Sequence, residues 1–429
     1  VIITNHPAVG GSHLPDVTLI CGIFDEKGNR LGFLANRAHH AELGGRSPGS
    51  MPADAKCLIE EGVIIDPQWL VRNNQDHLEQ IERLLRESPF PSRAVRENRI
   101  DLEAQLAALQ RGRQIFDGLL GDYGPTTINR YFDEFYQAGA EALARTLSVS
   151  GKFEGSAREE LDDGHAIVVG IKGESNRLSI DFTGTSPVHP GNLNATPAIV
   201  RSAVLYVLRL FVDTPMPLNE GLLDAVEITL PECFLNPAFS QDPANCPAVV
   251  GGNVETSQRV VDALIRALGL MAASQGTMNN LLFGNERFGY YETIGGGAGS
   301  GDGFPGASGV HVHMTNTAIT DPEILEQRFP VTCREFSIRK NSGGAGHYRG
   351  GDGLVREVAF KEAVSLSLLS QNRKNGPKGM HGGGDGQPGR QWIVRTDGSW
   401  EPIPGVAQIT LNPGEGIRIE TPGGGGWGA

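Results

Sequence analysis

The sequence predicts an α+β protein: a mixed α/β region with a long helical segment, then a glycine-rich antiparallel β domain. Three observations carry this. Residues 17–24 and 30–36 read as strands on either side of the turn residues Asp25-Glu26-Lys27-Gly28-Asn29. Leu102, Leu106, Leu109 and Phe116 recur at helical spacing. Beyond residue 295, glycine clusters separate short apolar strands, and no Gly-X-Y period is present.

Taken in order, residues 1–70 read as strands and loops. Residues 71–150 read as a helical block: 76–86, 93–120 and 126–147, with Pro89 and Pro91 parting the first two. A mixed α/β region follows over 151–330, with strands at 166–170, 177–182 and 224–230. Its helices are 197–211, where Pro197 suits the first turn, and one after Gly251 carrying Val260, Val261, Leu264, Leu268 and Met271. The last region, 331–429, holds strands at 336–339, 353–360, 364–369, 392–395 and 408–411, with turns such as Gly350-Gly351-Asp352-Gly353 between them.

Bulk numbers exclude several classes. Net charge is −13, with 37 Lys and Arg against 50 Asp and Glu, so the chain is no electrostatic nucleic-acid binder. Arg201 and Arg209 interrupt the apolar stretch 198–212, which therefore cannot span a bilayer. Five widely spaced cysteines without Cys-x-x-Cys fit reduced thiols in a cytoplasmic protein. No signal-peptide pattern is visible, and the absent initiator Met suggests processing or a fragment.

The chemistry concentrates near the start. Antiparallel pairing about a turn near Lys27 and Gly28 sets residue 16 opposite residues 38 and 39. His13, Asp16 and His39 then converge, and two imidazoles with one carboxylate suit an open divalent metal site. His39 and His40 alternate faces, so one of them is the ligand. The set suits Mn, Fe(II) or Zn, and binding should weaken on acidification, since the imidazoles must be neutral. The plain alternative is a turn-capping Asp16 and a solvated strand-end histidine.

Two further constellations are weighed. Gly251-Gly252-Asn253 before a helix start presents backbone N–H groups to a carboxylate or phosphate, which nominates Asn253, Glu255 and Thr256 for substrate binding. An ordinary capped helix start is the alternative. Extended backbone at 311–313 places His311 and His313 on one face, and with Glu292 they form a candidate catalytic group. Histidines bonded to nearby backbone are the alternative. The Gly-x-Gly-x-x-Gly matches at 301–306 and 384–389 contain Pro and open no helix. No Gly-x-x-x-x-Gly-Lys-Ser/Thr phosphate loop and no Gly-x-Ser-x-Gly elbow occurs.

A set of ordered motifs carries a resemblance. These are Asn5-His6-Pro7, Gly11-Ser12-His13-Leu14-Pro15-Asp16, His39-His40, Gly45 to Pro52, Gly191 to Thr196 and Gly252 to Gln258. Gly276 to Asn280, Tyr291-Glu292-Thr293, His311 to Thr317, Gly350 to Gly353 and Pro422 to Gly426 continue it. Together they resemble the hydantoinase B/oxoprolinase family along nearly all the chain. The resemblance implies ATP-dependent opening of a five-membered cyclic amide, 5-oxo-L-proline to L-glutamate or a hydantoin. For the former it implies a place in the glutathione cycle. It implies a metal at His13, Asp16 and His39. It also implies a hetero-oligomer with a hydantoinase A-type partner that carries ATP with Mg. An ATP-dependent ketone carboxylase subunit, or a non-catalytic scaffold of the A/B complex, are the competing readings.

Overall fold

The hairpin forms where the two strand runs and the turn between them place it. In the computed structural model, which describes residues 1–429, strands Asp16–Phe24 and Arg30–His39 pair antiparallel with Asp16 opposite His39. Asp25 tightens the turn by accepting the Lys27 and Asn29 N–H groups. Ile2–Thr4 and Gln68–Trp69 extend the sheet to four strands. Ile3, Val17 and Leu19 face helices α1 (Leu78–Glu87) and α2 (Val95–Ser150), meeting Ile81, Leu85, Leu102 and Leu109. Each fully buried aliphatic side chain contributes about 1.5–3 kcal/mol to that contact.

The break expected between 120 and 126 is found at Gly124, which leaves helical geometry at φ 74° and ψ 158° just ahead of Pro125 and divides α2 into two helical runs. Proline removes one helical N–H, and glycine absorbs the bend.

A second sheet orders Val226–Thr229, Arg177–Asp181, Ala166–Glu174 and Phe153–Glu160. The last of these strands was not expected from its polar sequence. Helices α3 (Pro197–Phe211) and α4 (Ser257–Ala267) pack with it in the largest core cluster. A π-helical turn, Gly252–Thr256, leads into α4. That helix ends sooner than its apolar spacing suggests, because Gly269 turns left-handed at φ 68°, so Leu268 and Met271 lie beyond it.

Residues 280–420 build two more sheets. One orders Gly289–Glu292, Asn280–Gly284, Val364–Leu369 and Val406–Leu411. The other has five strands, Val331–Arg339, Gly353–Phe360, Gly416–Glu420, Arg390–Val394 and Trp400–Pro402. Phe283, Leu366, Val358 and Ile417 are among the residues that share their core. Helix α5 (Pro322–Arg328) precedes the five-stranded sheet. The glycine clusters pack backbone on backbone: Gly351 N–H donates to Ala298, Gly424 to Gly351 and Gly344 to Gly424. A Cβ on Gly424 would sit 1.9 Å from the Ala298 carbonyl oxygen. Close approach is therefore made to the chain itself. All five cysteines are free thiols, and no helix is long and apolar enough to cross a membrane.

Candidate metal centre at the open end of the hairpin

The site grows from the strand ends. Asn5 ties the preceding loop down, donating to the Leu14 and Val63 carbonyls and accepting from Ile65 N–H. The Thr196 hydroxyl donates to the Gly11 carbonyl. These ties place His13 beside the first residue of the hairpin. Its Nδ1 lies 3.1 Å from Asp16 Oδ2, and its ring centroid is 5.3 Å from that of His39. His13 is 0% exposed, and its Nε2 is buried with no hydrogen-bond partner. A buried lone pair without a partner costs stability unless something completes it. With Nδ1–H donated to Asp16, Nε2 is the nitrogen free to bind a cation and the carboxylate supports the ring from behind; with Nδ1 unprotonated, Nδ1 and Asp16 Oδ2, 3.1 Å apart, face one ion together.

Electrostatics suit the same role. Burial works to raise the Asp16 carboxyl, but the His13 charge and hydrogen bond, His39 and the Ser12 hydroxyl outweigh it. Asp16 therefore stays ionised well below the usual carboxylate range. His39 presents one edge to solvent. Crowding by protein on its other faces, then the nearby His13 charge, pushes it down to about 4, against the pull of Asp16. It is neutral at physiological pH, with a lone pair to offer. His40 faces the other way, packed between Asn98 and Gln105 on α2.

A residue not anticipated from the sequence completes the wall. The Tyr291 ring stacks on His39, with centroids 5.7 Å apart and planes at 24°. Its hydroxyl donates to Asn280 Oδ1 at 2.8 Å, and Asn280 Nδ2 donates to Glu255 Oε1 at 2.7 Å. Strand alternation turns the neighbour away. Glu292 is buried against Arg356, 3.1 Å from Nη2, and accepts from the Tyr290 hydroxyl. The candidate catalytic group is therefore divided, with Glu292 committed to an ion pair.

His311 and His313 do not share an extended face. His313 has φ 52° in a turn, so the two side chains are not related by strand period. His313 is held between Asp262, 3.4 Å from its Nε2, and the Tyr206 hydroxyl, 3.4 Å from its Nδ1. Burial lowers the His311 pKa.

The helix start offered to a ligand anion is filled from within. Glu61 Oε1 accepts the Val249 and Val250 N–H groups, both at 2.9 Å. Thr256 donates its hydroxyl to the Leu193 carbonyl, and Glu255 accepts from Met278 N–H and Asn280. A Cβ on Gly252 would lie 1.9 Å from the Asn194 carbonyl oxygen, so this glycine serves packing. Asn253 is half-buried, and its carbonyl accepts from Ser257.

A second cluster, Asp163, His165 and His189, brings its ligand-type atoms within 4.8 Å of one another. It lies beside a cleft of about 990 Å³ whose lining includes Asp163, His189, Arg373 and Trp392. His189 Nδ1 accepts the Gly191 N–H at 2.8 Å, so its proton sits on Nε2 and is donated to Asp163 at 2.6 Å. That nitrogen has no lone pair for a metal.

The whole chain superposes on the ATP-dependent caprolactamase from Pseudomonas jessenii with a TM-score of 0.86. The match covers 100% of this chain and 77% of that one at 24% identity, so the two share a fold. Sequence narrows this further. The hydantoinase B/oxoprolinase family model matches residues 1–429, and the chain belongs to that family. It is 43% identical to 5-oxoprolinase 1 of Arabidopsis thaliana over 458 aligned residues and 42% identical to the 5-oxoprolinase of Saccharomyces cerevisiae over 459. Each alignment covers 100% of this chain and 35% of the relative, so the chain spans about a third of their length.

Proposed function

We propose that this chain is the B-type portion of an ATP-dependent enzyme that hydrolyses a five-membered cyclic amide, with 5-oxo-L-proline as the first substrate to test and a hydantoin as the second. The observation that carries this is 43% identity to a 5-oxoprolinase along the whole chain. The chain has no phosphate-loop motif, so the reading assigns ATP with Mg to a hydantoinase A-type partner, whether a separate subunit or a further domain.

The reading gives His13, Asp16 and His39 a divalent ion, with Mn, Fe(II) and Zn all suited to the donor set. Bound there, such an ion supplies Lewis acidity toward an oxygen of the substrate or of water. The residues' own contributions follow from their surroundings. His13 offers a desolvated lone pair, Asp16 a fixed negative charge, and His39 a neutral ring at the solvent edge. Amide resonance slows unaided hydrolysis, so the partner transfers the γ-phosphoryl group of ATP to the amide oxygen; water adds to the activated carbon on this chain, the C–N bond breaks as the nitrogen takes a proton, and a second water hydrolyses the resulting acyl phosphate to carboxylate and phosphate. His311 and His313, each with a buried ring nitrogen that has no partner, are the imidazoles this reading nominates to move the proton.

Reconstitution with the A-type partner tests the proposal. The wild-type pair should show ATP hydrolysis that depends on 5-oxoproline, and His13→Ala should abolish it together with metal uptake. Wild-type turnover and metal content in His13→Ala would refute the assignment.

A further inference from the structure

Tyr291 is placed to do more than line the site. Its ring lies over His39, the member of the candidate centre with an exposed edge and no hydrogen bond to Asp16 or His13 of its own. A histidine ligand usually has its plane fixed by a hydrogen bond from its other ring nitrogen. Here a stacked ring stands in that place. The stacked ring is in turn immobilised. Tyr291 donates to Asn280, which also donates to the Leu369 carbonyl and to Glu255. Asn280 and Glu255 are both 0% exposed. Glu255 sits in the π-helical turn Gly252–Thr256, and its Oε1 accepts Met278 N–H as well. Insertions of this kind inside helices recur at functional sites.

We infer that Tyr291 is the positioning residue of the hairpin site: its ring sets the plane of His39, and its hydroxyl anchors that ring through Asn280 to Glu255 on the π-helical turn. This rests on reading His13, Asp16 and His39 as ion ligands. The consequence is that the turn preceding α4 and the end of the hairpin behave as one unit, though more than two hundred residues separate them in the chain. A displacement of Glu255 would be read at His39.

The test compares Tyr291→Phe, which keeps the ring and loses the anchor, with Tyr291→Leu, which loses both. Titration of the full chain with Mn²⁺ and with Zn²⁺ should give an affinity at least about tenfold weaker for Tyr291→Leu, a loss in the range seen when a supporting partner of a metal ligand is removed. Tyr291→Phe should recover most of it. His13→Ala serves as the non-binding control. Equal affinity in wild type and Tyr291→Leu would overturn the inference while leaving the metal reading intact. Absence of uptake by the wild type would overturn the metal reading, and a second measurement then decides. In chain labelled with ¹³C-histidine, the His39 ring signal should shift or broaden in Tyr291→Leu and stay near its wild-type position in Tyr291→Phe. An unchanged signal in both variants would sink the inference.

Discussion

Two places in this molecule gather one aspartate and two histidines, and they are built for different ends. At the hairpin, the His13 and His39 ring centroids stand 5.3 Å apart, with Asp16 Oδ2 3.1 Å from His13 Nδ1. Beside the cleft, Asp163, His165 and His189 crowd closer, their ligand-type atoms all within 4.8 Å. Distance alone would choose the second. Counting protons chooses the first. His13 has one nitrogen bonded to Asp16 and the other buried and unspent. His189 has both nitrogens spent, one on Gly191 and one on Asp163. Asp163 Oδ2 also pairs with His165 Nδ1 at 3.0 Å. His165 keeps its Nε2, but with 24% of its side chain open to water, whereas the spare nitrogen of His13 is shut away from solvent, so what marks the hairpin is a lone pair that is both left over and buried.

The largest expected effect tests that difference directly. His13→Ala should remove stoichiometric Mn or Zn from the purified chain, measured by elemental analysis after dialysis. Retention of the ion would break the comparison at its first step. Asp16→Asn comes next. It preserves shape and an acceptor oxygen but deletes the charge, and the metal Kd should rise about 10–100-fold. A loss as complete as that of His13→Ala would sharpen the picture by making Asp16 as indispensable a ligand as His13.

Part of this was legible before any coordinates. The hairpin followed from two strand-like runs and the turn Asp25-Glu26-Lys27-Gly28-Asn29 between them, and its register follows from those two features alone. Alternation also separated His39 from His40, and the structure turns them to opposite faces. The same rule sets Tyr291 and Glu292 on opposite faces but does not say which face meets the site. A strand of four residues, Gly289–Glu292, has too few alternations to reveal which face is which. A buried Arg356, far along the chain, is what claims Glu292. The helix start at 250–256 misled for a similar reason. Backbone N–H groups there look available in sequence, and only the fold brings Glu61 to them. Glycine content signalled close backbone approach but not to what, and the answer was the chain's own backbone, at other glycines and at residues such as Ala298.

Glu61 extends the proton count to a third carboxylate. Burial pushes its carboxyl up to about 8, against the opposing pull of the Val250 and Val249 N–H groups. A carboxyl whose folded pKa exceeds its unfolded value binds a proton more readily in the folded state. Its stabilising contribution is complete below the unfolded value of about 4.3 and is lost as pH rises toward 8. Glu255 is pushed up to about 8 by the same cause and adds to the slope. Urea unfolding of the wild type should therefore show stability falling between pH 5 and 8. Glu61→Gln, which keeps the acceptor oxygen, should flatten that fall and gain roughly 1–2 kcal/mol at pH 8. An identical slope in the variant would mean that Glu61 is ionised in place, its two N–H partners having outweighed burial.

The smallest effect belongs to the cluster beside the cleft, and it is the sharpest check on the opening comparison. In the double variant His165→Ala/His189→Ala, Asp163 loses both side-chain donors but keeps the His165 backbone N–H, which donates to its other oxygen. Asp163 is partly exposed, with 39% of its side-chain surface open, so water replaces what is lost. The cost should be about 1 kcal/mol or less in urea unfolding. Metal content should match the wild type, because the hairpin set is untouched. If instead this variant loses the ion while His13→Ala keeps it, the order of the two sites is reversed. His189 would then have to release the Gly191 N–H and rotate to offer a lone pair. That rearrangement would show as loss of protection of the Gly191 amide in hydrogen exchange when Zn²⁺ is added. Protection that does not change with Zn²⁺ leaves the proton on His189 Nε2 and the ion at the hairpin.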